Sequence, residues 1–351
     1  MVLLLANAGL VGMPAGAADA PAADAAPWVL VNGRTLGGDA LELRVEGGRI
    51  VDRGATVSRE GARVADAAGG VVLPGFVDSH VHLAYLPAGA ELARRGVAAA
   101  IDLAAPLDQV GRDEPLTVRW SGPMVTAEGG YPTTSWGRGG YGLELRSPEE
   151  ARHAVDRLHG AGARLMKVPL DHGPTLDEPT LRAAVERAHH HGMVAVAHAM
   201  SDASALRAHR AGIDVLAHTP TSPLSEEAVA AWAQPERAVI STLTAFRAGD
   251  AAVDNLRRLH EAGARILYGT DLGNRRVAGV DTRELQLLAR IGMSPQEVLT
   301  ACTTLPAEVW GLDHDLAPGR PATFVALPAD PHRDPAVLGQ ARAVYLQGQP
   351  R

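Results

Sequence analysis

Residues 71–83 read Val71-Val72-Leu73-Pro74-Gly75-Phe76-Val77-Asp78-Ser79-His80-Val81-His82-Leu83. A short apolar run of this kind suits a strand buried on both faces. Period-2 alternation then sets His80 and His82 on one face and turns Val81 to the other. Two imidazoles on one strand face can share a metal ion, because nitrogen suits borderline-soft cations. A pair of hydrogen-bonded core histidines fits the same spacing, so the motif needs its neighbours.

Seven further apolar runs follow, at residues 97–103, 116–122, 163–170, 193–200, 213–220, 237–246 and 264–273. Amphipathic stretches separate most of them, such as residues 147–162 and 177–192. Gly162, Gly192, Gly212 and Gly263 stand where those helices should stop, as left-handed C-terminal residues. Ser147-Pro148 supplies an N-cap followed by proline at the first helical position. Apolar strands alternating with helices imply a parallel sheet covered on both faces. Eight such units predict a (β/α)₈ TIM-type barrel. The open doubly wound alternative lacks a G-x-G-x-x-G junction.

Short strand-like runs at residues 28–72 and 323–347 flank this middle. They predict a small β-sandwich domain, residues 28–73 with 316–351, around a barrel over residues 74–315. Residues 1–27 hold an apolar segment, an A-x-A triplet at Ala15-Gly16-Ala17 and an Ala/Pro/Asp spacer. They predict a signal peptide and spacer, with export to the periplasm or beyond the cell. The basic n-region is missing. A disordered extension on a cytoplasmic protein is the alternative. No other segment reaches the roughly 18 apolar residues of a membrane span.

Composition narrows the function. The chain has 351 residues, 46% hydrophobic and 21% charged, ordinary globular usage. With 33 basic against 40 acidic residues, its charge of −7 offers no basic face for nucleic acid. The single cysteine, Cys302, excludes an intrachain disulfide and a multi-cysteine metal cluster. The expected partner is a small-molecule substrate, and self-association into a homo-oligomer stays open. Fourteen histidines demand the most explanation.

Barrel enzymes carry reactive residues at the C-terminal ends of their strands. Those ends hold His80 and His82 in the first strand, Lys167 in the fourth, His198 in the fifth, His218 in the sixth and Asp271 in the eighth. Each alone has a structural explanation. Lys167 inside Leu165-Met166-Lys167-Val168 is the oddest, since an unpaired core ammonium is costly. Together they describe one metal site in one barrel mouth.

In order and context these residues resemble the amidohydrolase superfamily of metal-dependent hydrolases. The resemblance covers the chain from about Trp28. Residues 72–82 are similar to its first-strand signature, residues 165–168 to the strand-four segment of members with a carboxylated lysine, and Tyr268-Gly269-Thr270-Asp271 to its strand-eight segment. Residues 292–299 and Pro318-Gly319-Arg320 also look familial. The likeness is greatest to the imidazolonepropionase-like and Xaa-Pro-dipeptidase-like branch. Ala217 before His218 and Ala322-Thr323 depart from that branch's usual residues.

The resemblance implies two divalent ions, zinc by the ligand set, bridged by a CO2-derived carbamate on Lys167. His80, His82 and Asp271 would hold one ion, and His198 and His218 the other. Cations lower the pKa of bound water towards about 7. The implied reaction is hydrolysis of an amide, peptide-like or cyclic amide C–N bond by a metal-bridged hydroxide, with Asp271 carrying the proton. Ester, lactone or phosphotriester hydrolysis in the same site is the alternative. A metal-poor binding scaffold is the rival from another class.

Substrate clues lie in the loop at residues 128–145, which holds Tyr131, Trp136 and Tyr141 within eleven residues. Over the mouth it would act as a lid, with Arg138 holding a substrate carboxylate. An ordinary surface loop packed on the barrel is the alternative. Tyr85 and His172 closely follow ligand positions and are further pocket candidates. His189-His190-His191 ends a helix before Gly192, where cationic side chains favour the helix dipole, and reads as structural.

Overall fold

The computed structural model describes residues 26–247 and 249–351. All but the last two residues of the signal and spacer segment, 1–27, lie outside them.

Eight parallel strands alternate with helices: β1 (Phe76–Val81), β2 (Val97–Asp102), β3 (Thr117–Trp120), β4 (Leu165–Pro169), β5 (Val194–His198), β6 (Val215–Leu216), β7 (Ala238–Ile240) and β8 (Arg265–Leu267). They form two ladders, β1-β2-β3 and β4-β5-β6-β7-β8. Backbone bonds join the last strand region to the first: Ser79 N–H donates to Tyr268 O at 3.0 Å and His82 N–H to Leu272 O at 2.7 Å. Between β3 and β4, Arg164 N–H donates to Trp120 O at 3.1 Å. The architecture is a TIM-barrel-type α/β fold.

Aliphatic side chains, most of them small or β-branched, fill the interior. Val77, Ile101, Leu165, Val196, Val215 and Ile240 pack together, with Trp310 from helix Thr304–Trp310 against them. A bulky indole entering from a helix explains how a chain so poor in aromatics still closes its core. Outward residues such as Val81 and Val168 join the larger cluster shared with the helices. The helix ends follow their sequence signals. Ser147 accepts from Glu150 N–H at 3.2 Å, and the glycines at 162, 192, 212 and 263 all have positive φ.

Both chain ends meet in one eight-stranded sheet. Its path is Gln349–Pro350, Ala343–Leu346, Phe324–Leu327, Val71–Pro74, Trp28–Arg34, Ala40–Glu46 and Arg49–Gly54, with Arg63–Asp66 also paired to Trp28–Arg34. Trp28 stacks on Tyr345 with centroids 4.6 Å apart. Val71–Pro74 in this sheet runs straight into β1 through Gly75, where a Cβ would lie 2.4 Å from that of Ala98. Only glycine allows that close approach. The 128–145 segment is partly regular, because Gly142–Leu145 pairs in parallel with Met124–Ala127.

Candidate active site

The six strand-end residues line one cavity of about 580 Å³, within the usual range of small-molecule sites. Inward placement at β4 and β5 follows simple alternation: Leu165 then Lys167, and Val196 then His198. β1 breaks that beat. Val77 points inward, and Ser79 accepts from Trp310 Nε1–H at 3.1 Å, yet His80 and His82 also face the cavity. A register shift between Asp78 and Val81 accounts for the slip, as a bulge re-aims the side chains that follow it.

His80, His82 and Asp271 each offer a ligand atom within 4.8 Å of the others. Nε2 of His80 and of His82 are 3.2 Å apart, and they lie 3.5 and 3.3 Å from Asp271 Oδ1. His80 Nδ1 is 2.8 Å from Ala217 O. A carbonyl only accepts, so Nδ1 carries the proton and Nε2 presents its lone pair to the cluster. His218 Nδ1 lies 3.0 Å from Thr242 Oγ1, and the His198 and His218 rings meet with centroids 4.8 Å apart. Lys167 Nζ, His198 Nε2 and His82 Nδ1 are buried with no hydrogen-bond partner among the described residues.

The electrostatics favour a cation. Burial, with neighbouring charges, holds His80, His198 and His218 well below the usual imidazole range. Burial brings the Lys167 ammonium down to about 7, despite Asp271 and Asp102. Burial pushes the Asp271 carboxyl up, but His80, His82 and Lys167 outweigh it and bring it to about 2. Neutral imidazoles, a carboxylate and a readily neutralised amine are the forms that bind divalent metal or carry a carbamate. Lone pairs converging without protons between them are costly, and a divalent ion relieves that cost. The donor set therefore fits metal.

Two further buried acids tune the site. Asp78 accepts from Thr270 Oγ1–H at 2.6 Å, Thr270 N–H at 3.0 Å and His80 N–H at 3.1 Å, and burial raises it to about 7. Asp102 accepts from Leu83 N–H at 2.5 Å and Ala104 N–H at 3.1 Å, and burial raises it to about 6. Each braces the backbone next to a strand-end ligand candidate.

Tyr85, Tyr131 and His172 line the cavity as expected, together with Trp136. Tyr131 stacks against His198 at 5.3 Å, and its hydroxyl accepts from Trp136 Nε1–H at 2.7 Å. Tyr141 stands behind this wall, 5.2 Å from Trp136 between centroids. Arg138 is exposed, donates to Thr134 O at 3.1 Å and does not line the cavity. The arginine at the mouth is Arg276, over the Tyr85 ring at 5.8 Å. Phe246 and Asn274 also line it. The reading of sequence alone missed these three, although their places just past β7 and β8 were a signal. His189 and His191 face Asp214 and Asp156 at 2.9 and 2.6 Å, away from the cavity.

A strand-end cluster of this composition in a barrel-type fold defines a class, the metal-dependent hydrolases. The chain belongs to the amidohydrolase family, whose profile matches residues 71–349. It is thus a hydrolase acting on amides, in a family that uses divalent metals. An uncharacterized protein of Mycobacterium tuberculosis is 27% identical over 360 residues, spanning 88% of this chain and 92% of that protein. A candidate prolidase from Bifidobacterium longum is 26% identical, with a TM-score of 0.79 over 93% of this chain and 94% of that one. A Xaa-Pro dipeptidase with methionine bound in its active site is 19% identical, with a TM-score of 0.79 over 93% and 99% of the two chains.

Proposed function

We propose that the protein hydrolyses an amide, peptide-like or cyclic amide C–N bond at a two-metal site. His80, His82 and Asp271 would hold one ion and His198 and His218 the other, with Lys167, carboxylated by CO2, as a further anionic ligand. The nitrogen-rich set favours zinc. Bound there, the ions supply polarisation of the substrate carbonyl and a water acidic enough to attack near neutral pH. The observation that carries this reading is the convergence of six buried polar groups, three with unpartnered atoms, on one cavity.

The chain's own residues do the rest. Asp271 stays a carboxylate at neutral pH and takes the proton of the attacking water. It returns that proton to the leaving nitrogen, a poor leaving group until protonated. Tyr131, Trp136 and Phe246 wall the cavity and keep bulk water from the reacting carbonyl. Arg276 offers its guanidinium to a substrate carboxylate, the task that sequence reading gave to Arg138. The likeness to a candidate prolidase supports a peptide-like substrate with such a carboxylate. Residues 28–73 with 316–351 form a small β domain, built on one sheet, beside a barrel of residues 74–315. Residues 1–27 serve as export signal and spacer.

Turnover of a panel of N-acyl amino acids, Xaa-Pro dipeptides, cyclic ureides and lactones, alongside elemental analysis, tests the reading. Amide turnover with about two metal ions per chain is expected. Active protein carrying no metal would sink it, and turnover of lactones alone would move the function to ester bonds. N-terminal sequencing of exported protein should find cleavage within residues 15–27.

A further inference from the structure

Glu284 is a buried acid that the hydrolytic reading leaves unused. It sits in the first turn of helix Thr282–Arg290 and is fully buried. Among the described residues it makes no ion pair. Both of its oxygens are taken by backbone: Oε1 accepts from Leu243 N–H and Oε2 from Thr244 N–H, each at 2.8 Å. Those amides open the short turn Leu243–Phe246 that follows β7.

The residue before the turn is Thr242, at φ 41° and ψ 29°. Left-handed backbone is rare for a β-branched residue and persists where its surroundings over-determine it. Thr242 is buried, and its Oγ1 is the hydroxyl 3.0 Å from Nδ1 of His218. The linkage is continuous. The carboxylate fixes two amides, the amides fix the turn, and the turn aims the threonine hydroxyl at the histidine. Asp281, the N-cap of the same helix, accepts from Thr244 Oγ1–H at 3.2 Å and from Arg275 Nη2–H at 3.3 Å. One helix end thus also ties down the loop that follows Asp271.

The hydroxyl matters because a ligating imidazole must be held in one plane. Whichever partner donates, the contact of Thr242 Oγ1 with Nδ1 holds the His218 ring at the cavity. A buried acid without an ion-pair partner among the described residues and a left-handed threonine are both costly, and both oxygens of the acid are spent on this one turn.

We propose that Glu284 and Thr242 are positioning residues that fix the ring orientation of His218, and so set the affinity of the second metal ion. This rests on the reading of His218 as a ligand. Zinc titration of the metal-free full chain, followed by calorimetry, tests both. Wild type should fill two sites, and His218→Ala should lose one. Thr242→Val and Glu284→Gln should weaken that same site about 10–100-fold while sparing the other. Thr242→Ser should restore it. Thr242→Gly relieves the backbone yet lacks the hydroxyl, so it should still bind weakly. A purely structural threonine predicts the reverse order for serine and glycine.

Unchanged second-site affinity in Thr242→Val, alongside a lost site in His218→Ala, overturns the inference and leaves the ligand reading standing. Two filled sites in His218→Ala overturn both. Should Glu284→Gln fail to fold, the Thr242 series decides.

Discussion

Polar side chains are buried at both ends of the barrel, and the two ends treat them differently. At the N-terminal end, Arg119 is half-buried and its Nη2 donates to Gly311 O at 2.9 Å. His314 lies buried near Gly75, the residue leading into β1. These groups lie apart from the cavity at the mouth. At the C-terminal end, six groups converge, and Lys167, His198 and His82 keep unpartnered atoms around one space. Burial of a polar group therefore does not mark function. Convergence of unsatisfied groups on a common cavity does.

That contrast breaks if ligands at the mouth prove as replaceable as polar residues at the base. His80→Ala with His82→Ala should abolish amide turnover and bound metal, measured by rate and elemental analysis on the same sample. Retained metal with retained rate would erase the distinction. Lys167→Ala should come next, losing one ion and most turnover. Short carboxylic acids should restore part of both by standing in for a carbamate. A mass of the loaded wild-type protein lacking the added CO2 would remove the carbamate.

Asp271→Asn separates holding metal from moving protons. The variant should keep its metals after resupply and still lose about 10²–10⁴-fold in amide turnover. The loss should shrink for esters whose leaving groups need no proton. Near-wild-type amide turnover by a fully metallated variant would confine Asp271 to ligation. Further out, Arg276→Ala should raise KM for carboxylate-bearing amides about tenfold and leave their carboxamide counterparts alone. Arg138→Ala should change neither. The opposite pattern would return the carboxylate to the 128–145 loop.

How far the sequence reveals the site follows the same geometry. Lys167 and His198 were readable because the two-residue strand period and the barrel's strand ends jointly fix where they point. His80 and His82 were readable in position, although a register shift re-aims them in a way no alternation rule foresees. The path of a loop carries no period. Arg138 and Arg276 are both arginines in loops past strand ends, and only tertiary packing decides which one reaches the mouth. Tyr141, close in sequence to Trp136, ends up behind it for the same reason. Glu284 was invisible, since a glutamate in a helix's first turn ordinarily reads as a favourable charge at the dipole. Its burial against residues 243 and 244, some forty positions away, appears only in the fold.

The smallest effect is expected at the base, and it should touch stability alone. Burial holds His314 down at about 4, against 6.5 for an ordinary imidazole. Between those values the unfolded chain binds a proton that the folded chain refuses. Stability from this group is therefore complete above pH 6.5 and is lost as pH falls towards 4, by roughly 3 kcal/mol across the window. His80, His198 and His218 act in the same direction, so the wild-type slope alone does not isolate His314. The difference between His314→Leu and wild type does. Thermal melts from pH 7 to pH 4 should fall less steeply in the variant, while amide turnover at pH 7 to 8 stays within about twofold, as for changes away from a site. Parallel melting curves would mean that His314 reaches solvent before it titrates. A large loss of turnover would mean that the base of the barrel is not separate from the chemistry at its mouth.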